Sequence, residues 1–405
     1  MLDETTASVH HSWVISEGFS GFSLRDFRER LLEGTTPIQT TAKIRAYTIL
    51  IAAAALLLTA QVSLAASASW LSAPQDSAWE NANNWTPGGP PNGPSDTATF
   101  AQSSQTDVNI ATSEEVNSIV FTSASDSFTL NISPSAPGVG AELIFSGTGV
   151  NNNSSVLQSV LAGDGGQIIF NNTSSAGDAT IIGGKGATIF NDLSTADAAT
   201  LVASGGDYFD EGAGAILFNG TSNGGTARVE VFAGYPLREP NGYLSISGHQ
   251  GGVTIGSIEG SGNVFLGGND LTVGTNNIST TFSGQIWNDG HRGSLAKIGS
   301  GVLTLQRNYS IGDSMGLILT SGSIINLDFT DSPDVIASLV VDGVSQPPGI
   351  YGGPTSGAPH ILPEFRGSGT VHVFPSTLGN ISTRAFVQTG ANVMIGGFIV
   401  QGGVL

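Results

Sequence analysis

The densest group of chemistry-bearing residues is Gly206-Asp207-Tyr208-Phe209-Asp210-Glu211-Gly212. Three carboxylates within five residues, beside a phenol, suit Ca²⁺ coordination or the wall of a saccharide groove. Two carboxylates are the usual minimum for glycoside hydrolysis. The same residues suit a solvated Asp/Gly turn equally well in type, and that plainer reading is favoured. Asp178 and Asp197, 19 residues apart, could stack, but each sits among Ser, Ala and Gly at a corner. Gly220-Thr221-Ser222-Asn223-Gly224 matches the nucleophile-elbow pattern without its strand-to-helix setting. Gly267-Gly268-Asn269-Asp270 echoes the calcium-binding nonapeptide but does not repeat. His249, His291, His360 and His372 show no ligand spacing, and there is no phosphate loop or dinucleotide fingerprint. Trp70, Trp79 and Trp85 fall within 16 residues, followed by Pro87, Pro90, Pro91 and Pro94. They read either as a sugar-stacking platform or, preferentially, as a cap over the first exposed strands. No catalytic, metal-ligating or cofactor-binding residue is assigned, and no enzyme activity is expected.

Composition narrows the architecture that must carry these residues. The 405 residues include 56 Gly, 17 Pro and no Cys. Gly is about twice as frequent as in an average chain, while charged residues, at 11%, are less than half the usual share. Without Cys there is no disulfide framework and no thiolate zinc site. Thirteen basic residues against 32 acidic give a net charge of −19, which argues against a nucleic-acid partner. Hydrophobic residues at 39% suffice for a buried core, so ordinary disorder is also excluded. A long, turn-rich, all-β chain remains.

The front of the chain has a different character. Lys43 and Arg45 precede an apolar run, Ile49 to Ala60, and then small residues at Ser63-Leu64-Ala65 and Ala66-Ser67-Ala68. This is the pattern of a secretory signal peptide over residues 40–68; a membrane anchor would need about 20 apolar residues. Residues 1–39 form an upstream leader of doubtful status, with a short helix expected from Ser23 to Gly34. Beyond residue 65 there are 8 basic and 26 acidic residues, so the net charge belongs almost wholly to the exported part. No transmembrane segment is expected after signal cleavage.

From Trp70 onward, short β-prone runs alternate with Gly, Asn, Ser and Asp clusters. Ser118-Ile119-Val120-Phe121, Glu142-Leu143-Ile144-Phe145, Gln167-Ile168-Ile169-Phe170, Ala187-Thr188-Ile189-Phe190 and Ala215-Ile216-Leu217-Phe218 each end in Phe. The Phe spacings are 24, 25, 20 and 28. Self-similarity at this period predicts a right-handed parallel β-helix, or solenoid, with irregular coils. The Phe would stack inside at one azimuth, with the Asn that follows the last three forming an amide ladder. Gly would supply positive φ at the corners. The competing all-β reading is a sandwich, whose strands recur every 8–12 residues. The expected organisation is an aromatic, Pro-rich cap at 69–105 and a solenoid at 106–375.

Ser294-Leu295-Ala296-Lys297-Ile298-Gly299-Ser300-Gly301-Val302-Leu303-Thr304-Leu305 resembles the autotransporter-associated β-strand repeat of bacterial surface passengers. Every position of its L-x-K-x-G-x-G-x-L-x-L core is met. Asn308-Tyr309-Ser310-Ile311-Gly312 is a compressed form of the turn that follows, so the chain carries one clear copy, near 294–326. The opening from Trp79 to Phe100 also resembles the start of such passengers, and the stretch from Leu244 to Gly274 carries the resemblance too. Residues 376–405 resemble the opening of a small C-terminal β-domain, so a truncated copy of that domain is expected, with no translocator barrel after it. The resemblance implies a secreted or outer-surface protein of structural or adhesive function, with surface glycans or matrix polysaccharide as partners. The alternatives are a pectate lyase-like carbohydrate-active β-helix enzyme and a carbohydrate-binding module.

Overall fold

The structure, a computed structural model, describes residues 67–136, 140–207, 212–235 and 240–374, with the backbone of a short antiparallel pair, Val393–Ile395 and Phe398–Val400. The leader at 1–39 and nearly all of the signal segment lie outside the described residues, as does most of 376–405. Apart from one 3-10 turn, Ala82–Asn84, the described residues form strands, turns and loops.

Two sheets of eleven strands run through the body. The chain feeds them alternately. Gly166–Phe170, Ala187–Phe190 and Ala215–Phe218 lie in the first sheet, while Thr180–Gly183, Thr200–Ala203 and Arg228–Val231 lie in the second. Each strand pairs in parallel with the strand one circuit earlier and one circuit later. A third side begins as single bridges, Gly149 to Ser175 to Thr195 to Asn223. From Val253 it becomes a sheet of its own, through Val253–Ile255, Leu271–Val273, Ser294–Lys297, Gly316–Leu319 and Ser338–Val341.

Inward positions stack on their counterparts. Phe145, Phe170, Phe190 and Phe218 are fully buried, with consecutive ring centroids 4.7–4.8 Å apart and planes within 10° of parallel. That distance is the strand spacing itself, so the ring column is a direct print of the ladder. Beside it, Asn191 Nδ2 donates to Asn171 Oδ1 at 2.9 Å and Asn219 Nδ2 donates to Asn191 Oδ1 at 3.0 Å. The expected amide ladder is present. Phe121 departs from the expected column. Strand Ala141–Asn152 pairs in two registers, so that Phe145 sits opposite Val116 and Phe121 opposite Asn152. The irregularity falls close to Gly149, whose φ is 86°; a Cβ there would fall 2.0 Å from the Ser175 carbonyl oxygen, so no side chain fits. Phe121 packs instead on Phe100, at 5.4 Å.

The corners are also columns. Asn172, Asp192 and Gly220 hold φ of 56°, 55° and 61°, and Gly177, Asp197 and Gly225 hold 63°, 52° and 58°. Asn and Asp are the non-Gly residues most tolerant of this region, which explains why the corner alphabet is Gly, Asn and Asp. Asp197 sits at a corner, and its counterpart is Gly177 and not Asp178, because Thr195 bridges Ser175. Between these corners Ser174, Ser194 and Ser222 point inward and are buried, with Ala176 and Ala196 two residues on.

In the repeat-like segment, Leu295 and Lys297 face inward on the third sheet, and Leu303 and Leu305 face inward on the second. Gly299, at φ 68°, turns the corner between them against Asn277, whose Oδ1 accepts from Ser300 N at 2.8 Å. Lys297 is only 2% exposed. Its Nζ donates to the carbonyls of Ile298 and Gly299, and desolvation lowers its pKa.

The first circuits end under an aromatic cluster. Trp70, Trp79 and Trp85 are at most 4% exposed and meet edge-on, with Trp70–Trp85 at 5.1 Å and Trp79–Trp85 at 4.7 Å. All three pack on Phe100. Each indole N–H is satisfied by a carbonyl, of Gln105, Pro91 and Trp79 respectively. Ser67 and Ala68, at the end of the expected signal segment, belong to this unit: Ser67 Oγ accepts from Thr97 N at 2.9 Å, and Ala68 is buried opposite Ala98.

Asn191 both accepts and donates in the amide ladder, so Asn191→Ala strands two neighbours while Asn171→Ala strands one. Urea unfolding is expected to show Asn191→Ala less stable by about 1–3 kcal/mol, with Asn171→Ala losing less. Equal losses would mean the ladder bonds carry no weight.

Candidate ligand-binding groove

Of the acidic group singled out in the sequence, Asp207 lies among the described residues; Tyr208, Asp210 and Glu211 do not. Asp207 bridges in parallel to Tyr235 one circuit on, and its carboxylate lies 3.6 Å from Lys185 Nζ. An ion pair on an exposed loop corner fits the solvated-turn reading. Ser222 of the elbow-like motif is 2% exposed and gives its Oγ proton to the Asn219 carbonyl at 2.8 Å. His249 comes close, but its Nε2 meets the Ser222 backbone oxygen and not the hydroxyl. This pair is not set up as nucleophile and base. Asp270 accepts from Ser294 Oγ at 2.6 Å. Among the described residues no three His, Asp or Glu gather in metal-binding geometry. The three clustered Trp present no open face for a sugar, because all are buried.

The structure draws attention to a different place. The first sheet ends at Gln285–Trp287. Beyond it the chain returns as 309–314, joined to that last strand by Ile286 N to Ser310 O at 2.9 Å and Gly312 N to Ile286 O at 3.0 Å. A groove of about 570 Å³ opens between these segments, lined by Trp287, Asn288, Asp289, Tyr309, Asp313 and Ser314 among others. Trp287 is 45% exposed, the single exposed Trp among the described residues. Arg307 stands 5.5 Å from the Tyr309 ring centroid, over its face.

The walls are fixed by local chemistry. Asn288 is buried; its Nδ2 donates to the His291 carbonyl and its Oδ1 accepts from Ser314 Oγ at 2.7 Å. One amide therefore ties both walls together. Asp289 and Gly290 take positive φ in the turn that follows. On the other wall, Ile311 N donates to the carboxylate of buried Asp334 at 3.1 Å. The aromatic character extends up the outer face. Tyr243, Phe265 and Trp287 lie on the outward side of three successive strands, with Leu244, Val264 and Ile286 inward. Tyr243 and Phe265 meet edge-on at 5.6 Å. Sequence reading passed over Trp287 because it is isolated, in a three-residue strand. Its partner wall lies more than 20 residues on, and only the Asn308–Gly312 motif hinted at it.

Elsewhere, one carboxyl is strongly perturbed. Glu114 is 3% exposed, and burial pushes its pKa up to about 7, assisted by the nearby Glu80 charge and opposed by a hydrogen bond from Thr112. Glu80 accepts from the Ala111 and Thr112 amides and from the Thr112 hydroxyl. These contacts fasten the aromatic unit to the body. Among the described residues, no helix is long and apolar enough to cross a membrane. No protein-family model, curated protein or solved structure matches the chain.

Because the folded state holds the Glu114 proton to a higher pH than the unfolded chain does, stability is fully present below about pH 4.5 and declines as pH rises towards 7. Glu114→Gln is expected to remove that part of the slope, at most about 3 kcal/mol, in chemical denaturation followed across pH 4–8. A slope unchanged by the substitution would assign it to other groups.

Proposed function

We propose that this chain is a secreted or cell-surface structural and adhesive protein, without catalytic activity, whose body is a right-handed parallel β-helix. The observation that carries the reading is the in-register parallel ladder that runs through both long sheets. Successive circuits that stack like residue on like residue repeat the same polar residues along their outer surface. Such a surface suits weak, multivalent attachment, in which many poor contacts add to useful avidity. Surface glycans or matrix polysaccharide are the partners this reading names. The segment at 294–326 that resembles the autotransporter-associated repeat is consistent with it: its inward Leu and its Gly corner do the same work as the neighbouring circuits. The aromatic unit at 69–105 acts as the cap that closes the open edge of the first circuits.

Export through the signal segment places peptidase cleavage after Ala65. Cleavage after Ala68 would remove Ser67 and Ala68, whose contacts with Thr97 and Ala98 join the first strand to the body. N-terminal sequencing of secreted protein is expected to begin at Ala66.

The exported chain, incubated with polysaccharide-coated particles, is expected to be retained on them without releasing reducing or unsaturated sugar ends. Release of such ends would favour the carbohydrate-active enzyme instead, while failure to adhere to any glycan-coated or cell surface would remove the adhesive role.

A further inference from the structure

The groove beside Trp287 has a more specific chemistry than general stickiness. A saccharide ring offers two kinds of surface: an axial C–H face that packs on an aromatic ring, and hydroxyls that need acceptors and donors in the ring plane. The groove supplies both. Trp287 and Tyr309 bring aromatic surface from its two sides, and Asp289, Asp313 and Ser314 bring oxygen acceptors and a hydroxyl. The frame is held before any ligand arrives, since Asn288 links the two walls and Asp334 holds the Ile311 amide. Preorganisation of this kind lowers the ordering cost of binding.

The outer face gives the ligand a direction. Phe265 and Trp287 share one register position on consecutive strands of one parallel sheet; Tyr243 lies two residues back along the preceding strand, in the column of Asn263 and Gln285, and Tyr309 follows in the segment that pairs with the last strand. Adjacent strands lie about 4.8 Å apart. One hexose in an extended chain is of comparable length, so successive sugars can meet successive circuits. Asn263 and Gln285 stand beside the aromatic residues on the same outward face and can bond ring hydroxyls.

Charge then selects among sugars. Two carboxylates line the groove, on a chain of net charge −19. A polyuronate would bring like charge against these two carboxylates, which outnumber the Arg307 cation over Tyr309, whereas a neutral chain meets no such repulsion. We propose that the groove and the aromatic track leading into it bind a neutral, extended hexose polysaccharide, running along the stacking direction, with Trp287 as the principal contact. This rests on the adhesive reading above and names its ligand class.

The test uses the exported chain and Trp fluorescence, since Trp70, Trp79 and Trp85 are buried and Trp287 is exposed. Cellohexaose, mannohexaose and polygalacturonate are titrated at constant ionic strength. At least one neutral hexasaccharide is expected to bind and to shift the emission, while polygalacturonate does not. Trp287→Ala, checked for an unchanged β-type circular dichroism spectrum, is expected to weaken binding at least about tenfold, as measured by calorimetry, with Trp287→Phe recovering part of it. The proposal is overturned if no neutral hexasaccharide binds, if polygalacturonate binds as well or better, or if Trp287→Ala binds like the parent. In each of those cases retention of the parent chain on cell or particle surfaces would leave the adhesive reading standing. Cleavage of a bound hexasaccharide would instead remove the non-catalytic one.

Discussion

Most of the described body answers to one constraint: a parallel strand must lie in register on the circuit before it. Parallel pairing fixes which residue sits on which, and in a stack of circuits that assignment is inherited from one to the next. A Phe at one inward position therefore meets a Phe at the next, at the strand spacing. An Asn beside it meets an Asn, and donor and acceptor alternate up the column. The same inheritance applies to backbone shape. Through three successive circuits one corner holds positive φ at Asn172, Asp192 and Gly220, and the residue type there is confined to Gly, Asn or Asp. Packing, polar satisfaction and turn chemistry are here three expressions of one register.

This is also why so much could be read from the chain alone. A stack repeats its requirements, and repeated requirements leave repeated residues. The Phe period, the Gly-rich corners and the Leu alternation of 294–305 all carried through into structure. Phe121 did not, because a second register enters within Ala141–Asn152, and a local bulge leaves no periodic trace. Spacing alone could bring Asp178 and Asp197 together, whereas the fold pairs like backbone angles and sets Asp197 on Gly177. Lys297 was visible as part of a motif, but its burial follows only from its place two residues after Leu295 on one strand. Trp287 carried the least signal. Its significance depends on a wall supplied by the following circuit, and no local pattern encodes that meeting. The acidic loop drew attention by density of carboxylates, yet Asp207 lies at an exposed corner beside Lys185.

The groove and the ladder are connected through the problem of sheet edges. The first sheet stops at Gln285–Trp287, while the second continues to Phe365–Gly367 and the third to Ser338–Val341 and Val344–Ser345. An unpaired parallel edge would invite other chains. Residues 309–314 cover it with the two backbone bonds to Ile286 and the Ile286–Ile311 bridge, without forming a full strand. A partial cover leaves space, and that space is the groove. At the other end the edge is handled differently: Trp85–Thr86 pairs antiparallel with Ala68–Trp70, and three indoles fill the gap. One end is closed by burying aromatic surface, the other leaves aromatic surface open.

The direction of the ladder bonds has a mechanical meaning. In a stack of parallel circuits the interstrand hydrogen bonds point along the stacking direction, so tension applied at its two ends loads circuits in series. Rupture then proceeds by peeling one circuit at a time. The 20-residue circuit from Phe170 to Phe190 would pay out roughly 70 Å of slack when freed, at about 3.3–3.6 Å per residue. A stack built this way yields in steps and not all at once.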